Sequence, residues 1–150
     1  MVAEYLRSLD RAGGFRADVV LMHVGTHDIK RNPETGENQV PLEAYRRNVE
    51  TIAEWFGKKG IRLVWLRGGP LDEKLHNARS KKLRRYEADL DAYNEAAEEV
   101  LARHGVPVLD LAGFTRNLGP LEETLKDHVH FKDDVVQLQA AFIAGYLAGL

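Results

Sequence analysis

Three short apolar runs along the chain have the pattern of buried strands. They span Asp18 to Val24, Ile61 to Leu66 and Val106 to Leu111. Apolar residues follow one another in each run and many are β-branched, which is typical of strands covered on both faces of a parallel sheet. The pattern therefore predicts three strands that lie in one parallel sheet.

Helical periodicity surrounds these runs. Apolar residues recur every three or four positions, which predicts helices over residues 2–12, 41–58, 80–104 and 135–147. Pro41 stands at the start of the second helix, while Gly60 and Gly105 end the second and third. A loop or short helices are expected over residues 112–126.

Alternation of helices and strands predicts the fold class. The order α-β-α-β-α-β-α favours an α/β three-layer α/β/α sandwich with a parallel sheet and right-handed crossovers. With 150 residues, the chain fits a single domain over residues 1–150. Three strands are fewer than the usual sheet of about five or six, so the sheet is expected to be short of strands.

Composition narrows the possible partners. The chain is 44% hydrophobic and 29% charged, with a net charge of −2, which gives no reason to expect nucleic acid as a partner. No window reaches the ~20 apolar residues of a membrane span, and the first residues lack a signal-peptide pattern. As written, the chain is therefore expected to be cytoplasmic. It has no Cys, which excludes disulfides, thiolate catalysis and Cys-based zinc sites.

Asp127 and His130 are the first candidate for chemistry. They lie three residues apart on a turn before the last helix. The carboxylate could hold one ring nitrogen as a donor, which would leave the other nitrogen free to act as a general base. Alternatively, Asp127 caps a turn and His130 packs under the last helix.

The segment Gly25-Thr26-His27-Asp28 is the second candidate. It follows the first strand, and ligands of open α/β sheets bind at the carboxyl ends of the strands. Gly25 would permit a tight chain reversal, and His27 would then point into the cleft as a hydrogen-bond donor. Alternatively, Asp28 caps a turn and His27 is an exposed loop residue.

Two other kinds of site can be considered. The Gly68-Gly69-Pro70 segment lacks the loop-to-helix spacing of a phosphate cradle, so a turn is favoured. Six side chains could supply zinc ligands: His23, His27, His128, His130, Asp28 and Asp127. However, residues 128 and 130 would point apart if the chain were extended there. No metal and no cofactor is predicted.

Both candidate segments carry a family resemblance. Residues 18–29 resemble the third motif block of the SGNH hydrolases (the GDSL esterase/lipase superfamily), whose form is Gly-x-Asn-Asp. Residues 127–131 resemble the fifth block, Asp-x-x-His. The resemblance implies a flavodoxin-like fold and hydrolysis of small-molecule esters through an acyl-enzyme. It also implies that His130 is the general base, that Asp127 orients it, and that Gly25 and His27 bind the substrate, with His27 in the place of the oxyanion-hole Asn.

The chain departs from the family pattern at its start. The block with the nucleophilic Ser and the block with an oxyanion Gly are not recognisable, so the first two strands of the fold are expected to be missing. The chain has two serines, Ser8 and Ser80, and with Thr26 beside the expected oxyanion hole they are the candidate nucleophiles, but none has the context of one. A secretion signal in a missing N-terminal segment would change the expected localisation.

Two hypotheses follow from this departure. In the first, the chain is the C-terminal two-thirds of an SGNH-type serine esterase or acyl hydrolase and is inactive as given. In the second, it is a degenerate SGNH-like domain that binds an acylated or glycan ligand without catalysis. In either case, an exposed strand edge predicts self-association, with a homodimer as one form.

Overall fold

A computed structural model describes residues 2–14 and 16–150. The strands in these ranges are β1 (Val19–Met22), β2 (Arg62–Leu66) and β3 (Val108–Leu109). The helices are α1 (Val2–Arg11), α2 (Leu42–Lys59), α3 (Glu73–Arg79), α4 (Glu87–Arg103), α5 (Leu111–Arg116), α6 (Leu121–Thr124) and α7 (Asp133–Ala148).

The described strands form one parallel sheet in the order β1-β2-β3. Val19 of β1 lies opposite Arg62 of β2, and Trp65 of β2 lies opposite Val108 of β3. Because the strands are parallel, their carboxyl ends meet at one edge of the sheet, where the loops after β1 and β2 also lie. The predicted parallel sheet is confirmed.

Helices cover both faces of the sheet. Leu63 and Trp65 of β2 pack into a core with residues of α1, α2 and α4. Val64 and Leu66 point to the other face, where Phe142 of α7 packs against the same cluster. The side chains of β2 therefore alternate between two helical layers, and the predicted three-layer α/β/α sandwich is confirmed.

The helix predicted over residues 80–104 is wrong in its first third. Asp72 caps a separate short helix, α3, by accepting a hydrogen bond from the backbone N–H of Leu75 at 2.8 Å. Arg84 then exchanges two backbone hydrogen bonds with Arg31, at 2.8 and 2.9 Å. This pairing holds residues 80–86 out of a helix, so α4 begins only at Glu87.

Two strands are shorter than predicted. The run over residues 18–24 yields the four-residue β1, because the chain turns away from the sheet before Gly25. The run over residues 106–111 yields only β3. There the side chain of Asp110 accepts a hydrogen bond from the backbone N–H of Gly113 at 2.8 Å, which caps α5 and ends the strand.

Within residues 2–14 and 16–150, part of the apolar surface of α7 and one edge of the sheet are left uncovered. On α7, Val135 is buried, whereas Val136 and Leu138 keep 47% and 49% of their surface exposed. Among the described residues, β1 pairs with β2 and with no other strand. Within the described ranges, no helix combines the length and the apolar character required to cross a membrane.

Candidate active site

The turn that carries Asp127 and His130 is tightly hydrogen-bonded. One carboxylate oxygen of Asp127 accepts hydrogen bonds from the backbone N–H groups of Val129 and His130, each at 2.7 Å. The other oxygen lies 2.7 Å from Nδ1 of the His130 ring. An antiparallel bridge between Leu125 and Phe131 closes the base of the turn, just before α7 begins. The structure therefore brings Asp127 and His130 together.

The charge of Asp127 determines which ring nitrogen of His130 carries the proton. The hydrogen bond from His130 lowers the pKa of Asp127 well below its usual value, and the two backbone N–H donors act in the same direction. Asp127 is thus ionised at neutral pH and accepts the Nδ1–H of His130. With its Nδ1–H directed at the carboxylate, the ring can accept a proton only at Nε2, and the His130 side chain is 69% exposed. This is the arrangement that a general base requires.

The loop after β1 places the second group of candidates. Gly25 has a φ of +127°, and a Cβ there would lie 3.2 Å from the hydroxyl oxygen of Tyr45. Because of this positive φ and the close approach to Tyr45, only glycine fits this turn without strain. The Tyr45 hydroxyl donates a 3.2 Å hydrogen bond to the carbonyl of Val24. The backbone N–H of Asp28 closes the turn on the carbonyl of Gly25 at 2.8 Å.

Asp28 is half-buried behind this turn, and burial raises its pKa above the usual value. Its backbone carbonyl accepts a hydrogen bond from Val40 at 3.1 Å. His27, by contrast, is exposed. The loop therefore keeps the carboxyl group of Asp28 partly out of water, whereas it leaves His27 exposed to water.

Two cavities border the candidate residues. The larger, of about 560 Å³, is lined by His23, Gly25, Thr26, His27 and Asp28 among others. The smaller, of about 50 Å³, is lined by Thr26, Arg85, His128 and Val129 among others. Thr26 lines both cavities, so the loop after β1 and the Asp127–His130 turn lie on adjoining depressions.

His23 joins the loops that follow β1 and β2. Its Nδ1 lies 3.3 Å from the carbonyl of Leu66, and its Nε2 lies 2.9 Å from the hydroxyl of Thr26. A carbonyl only accepts, so Nδ1 carries the proton and the Thr26 hydroxyl donates to Nε2. A Cβ at Gly68 would lie 2.7 Å from the His23 ring, so a larger residue there would displace that ring.

The Gly68-Gly69-Pro70 segment is held by a buried amide. Asn94 of α4 accepts a hydrogen bond from the backbone N–H of Gly68 at 3.2 Å and donates one to its carbonyl at 3.0 Å. Since Asn94 occupies both polar groups of Gly68, the segment is a fixed turn at the edge of the site.

The two serines take part in other contacts. The hydroxyl of Ser8 donates to the carbonyl of Glu4 within α1 at 3.1 Å and accepts from Arg11 at 2.9 Å. Ser80 is the C-terminal cap of α3. Within the described ranges, neither serine is hydrogen-bonded to His130. The same part of the chain contains no cluster of three or more His, Asp or Glu side chains suited to a metal ion.

Sequence reasoning missed two residues beside the site, His76 and Arg85. His76 is 1% exposed and contacts the ring of His128, while Arg85 contacts both His76 and the loop at Thr26. His76 lies in α3, which was not predicted, and Arg85 lies in a basic run that has the pattern of a solvated surface. The sequence offered no signal that either side chain is buried.

Solved structures of acyl hydrolases share this architecture. The chain is similar to a lipase/acylhydrolase from Enterococcus faecalis, with a TM-score of 0.72 at 19% identity over 99% of this chain and 68% of that one. An α/β hydrolase enzyme from the Lake Arreo metagenome has a TM-score of 0.68 at 22% identity, with 95% and 65% covered. An acetyl xylan esterase has a TM-score of 0.68 at 17% identity, with 97% and 74% covered. The chain thus spans about two thirds of the first two structures.

The family follows from the sequence itself. The model of the GDSL-like lipase/acylhydrolase family matches residues 2–138, and the chain belongs to that family. No curated protein matches the chain. The resemblance to the SGNH hydrolases drawn from the two motif segments is confirmed.

Proposed function

We propose that the chain carries the acid–base part of a serine acyl hydrolase site that acts on small-molecule esters. The observation that supports this most is the 2.7 Å contact between the Asp127 carboxylate and Nδ1 of an exposed His130. In this role, Nε2 of His130 takes the proton of a seryl hydroxyl as that oxygen attacks the ester carbonyl. The base later returns the proton to the leaving alcohol. Such a base contributes about 10²–10⁴-fold to the rate.

The loop after β1 supplies the substrate-binding residues of the proposal. Gly25 shapes the turn that lines the larger cavity, and His27 lines the same cavity. The ring of His27 can donate one hydrogen bond to a carbonyl oxygen that becomes negative during attack. Loss of one such donor costs about 10²–10³ in rate.

The nucleophile of the proposed reaction is neither Ser8 nor Ser80. The contacts of Ser8 lie within α1, and Ser80 ends α3. We therefore expect the 150-residue chain by itself to hydrolyse esters no faster than background.

Hydrolysis of p-nitrophenyl acetate between pH 5 and 9 tests this expectation. The chain, its His130→Ala variant and a His104→Ala control should give equal rates. His104 is a suitable control because its ring contacts Glu50 of α2 and lines neither of the two cavities at the candidate site. Activity that disappears in His130→Ala alone would overturn the expectation and lead to a search for the nucleophile, beginning with Ser80 and Thr26.

The coding sequence upstream of residue 1 provides the positive test. If it encodes a Gly-Asp-Ser block, the extended protein should hydrolyse p-nitrophenyl acetate. Its His130→Ala variant should lose about 10²–10⁴-fold in kcat. A folded extended protein that contains the block and remains inactive would contradict the proposed reaction.

A second candidate function is ligand binding without catalysis. The cavity of about 560 Å³ beside Gly25 and His27 favours it, because this size is typical of small-molecule sites. Calorimetric titration with an acetylated xylo-oligosaccharide would test for an acylated or glycan ligand. Binding that is weakened by His27→Ala and unchanged by His130→Ala would support this function, provided that no Ser block is encoded upstream.

We also propose that the chain self-associates, for example as a homodimer, through the edge of β1 together with the exposed apolar residues of α7. In the part of the chain that the structure describes, that strand pairs with β2 alone, and its Val19 and Leu21 pack in the same cluster as Phe142 of the partly exposed α7. Unpaired strand edges and exposed apolar faces favour association. Light scattering of a Val136→Lys/Leu138→Lys variant should show a smaller mass than the wild type, whereas Tyr5→Lys on α1 should not. A monodisperse wild-type monomer at high concentration would contradict the proposal.

A further inference from the structure

Two buried polar residues connect the halves of the candidate site. His76 on α3 is 1% exposed, and Arg85, just before α4, is 7% exposed. Neither has a role in the proposed reaction, although both lie between the Asp127–His130 turn and the loop after β1. Burial of a histidine and a cation in such a position requires hydrogen bonds that offset the lost hydration.

Three contacts form a continuous chain. Nε of Arg85 donates a hydrogen bond to the carbonyl of Thr26 at 2.9 Å. Nη1 of Arg85 lies 3.3 Å from Nε2 of His76. Nδ1 of His76 then lies 3.0 Å from Nδ1 of His128, and the two ring centroids are 5.0 Å apart. The chain therefore runs from the residue before His27 to the residue after Asp127.

Donor and acceptor rules assign the protons. A guanidinium only donates, so Nε2 of His76 must accept from Arg85. The single proton of a neutral His76 is then on Nδ1, from which it is donated to Nδ1 of His128. His128 in turn carries its own proton on Nε2. The network is complete only when both rings are neutral, because two Nδ1–H groups cannot face each other at 3.0 Å.

The surroundings favour the neutral form of His76. Burial lowers its pKa most, and the charges of Arg85, His128 and Arg84 act in the same direction, while a hydrogen bond with the backbone of His128 opposes them. Asp72 lines the small cavity together with Arg85 and His128, and its side chain caps α3. In the described part of the chain, no carboxylate oxygen lies within 4.0 Å of the Arg85 guanidinium. Arg85 therefore acts here as a donor of hydrogen bonds and not as half of an ion pair.

Arg85 is itself held in place. Asn77 of α3 accepts a hydrogen bond from the backbone N–H of Arg85 at 3.0 Å and donates one to its carbonyl at 2.8 Å. A rigid position for Arg85 is necessary if its guanidinium is to fix a loop through a single carbonyl.

We propose that Arg85, His76 and His128 are positioning residues that hold the Asp127–His130 turn in register with the Thr26–His27 loop. The chain acts at both ends through the backbone, since Thr26 precedes His27 and His128 follows Asp127. The assignment of His27 and His130 as partners rests on the proposed function, but the hydrogen-bonded chain does not. Where the enzyme is active, loss of the chain lowers kcat more than it raises KM.

NMR of the ¹⁵N-labelled full-length chain tests the proposal without any need for activity. Long-range ¹H–¹⁵N correlations of the six histidines report which ring nitrogen is protonated. At pH 8, His76 should carry its proton on Nδ1, the less common form of a free imidazole. A proton on Nε2 of His76 would overturn the proposal, and this result requires no variant.

Two substitutions then test transmission along the chain. Arg85→Met removes the contact at Thr26, and it should shift the ring resonances of His130 at the far end. His76→Phe keeps an aromatic ring of somewhat larger size but removes both ring nitrogens, and it should shift the ring resonances of His27. The control is His104→Phe, which should leave both rings unchanged. If the ring resonances of His130 were unchanged in Arg85→Met, and those of His27 were unchanged in His76→Phe, the two loops would be positioned independently. The proposal would then be wrong.

A failure of the hydrolase proposal would give a different result. In that case the extended protein lacks esterase activity, while the tautomer of His76 and the transmitted shifts are still observed. The two proposals are thus separated by measurements that do not depend on each other.

Discussion

The candidate site contains two sets of polar residues that differ in their burial and in how far apart their members lie in the sequence. The Asp127–His130 pair is local, exposed and formed within a single turn. In the Arg85–His76–His128 chain, His76 and Arg85 are buried and His128 is half-buried, and the contacts join residues that are 9 to 59 positions apart in sequence. Exposed pairs contribute little to stability, because water competes for their hydrogen bonds. Buried groups are costly to leave unpaired. The chemistry of the site is therefore separated from the contacts that stabilise it.

Arg85→Met should give the largest loss of stability. The substitution leaves the carbonyl of Thr26 and Nε2 of His76 without their donor, and each buried unsatisfied group costs about 1–3 kcal/mol. We expect the free energy of unfolding from urea titrations to fall by about 2–4 kcal/mol. Arg116→Met removes a partly exposed contact with Glu87 and should change it by at most about 0.5 kcal/mol. Equal effects of both substitutions would mean that the buried contacts of Arg85 stabilise the fold no more than a partly exposed ion pair does.

His76→Phe should have a smaller effect that depends on pH. At pH 8 the lost hydrogen bonds should lower the free energy of unfolding by about 1–2 kcal/mol. Because the folded-state pKa of His76 is lowered, the unfolded chain binds more protons once the pH falls towards the unfolded value of about 6.5. Wild-type stability therefore decreases below that pH, while Phe does not titrate.

The difference between wild type and His76→Phe should accordingly narrow between pH 7 and pH 5. Urea titrations at several pH values measure it. A difference that widens as the pH falls would mean that the folded protein favours the charged ring, contrary to the structure.

Asp127→Asn should change stability least at neutral pH, although it alters the proposed catalytic pair. The lowered pKa of Asp127 means that its carboxylate stabilises the folded chain above the unfolded value of about 3.9. That contribution is lost as the pH falls through the lower folded value. Thermal melting should therefore separate wild type from Asp127→Asn only slightly at pH 7, and the separation should disappear in acid. A neutral-pH loss as large as that of Arg85→Met would contradict the view that the pair is peripheral to stability.

Much of the fold followed from local pattern. The apolar run at Ile61–Leu66 has side chains that alternate between two covered faces, and β2 lies at Arg62–Leu66 as predicted. Gly60, in a left-handed conformation, ends α2 as its position indicated. The start of α4 was misplaced because backbone pairing of Arg84 with Arg31 competes with helix formation. A partner 53 residues away is not visible in a local pattern.

The sequence by itself determined the alternation of the three strands with the longer helices, the family, and the place of Asp127 and His130 on one turn. It could do so because each depends on residues that are neighbours in the chain: a period of apolar positions, a motif, or a carboxylate three residues before a ring. Only the tertiary structure decided that His76 and Arg85 are buried and linked to His128. Burial depends on which segments pack together, and a basic run reads alike whether its residues face water or the interior. The separation of stabilising contacts from the exposed pair is therefore a property of the packed molecule.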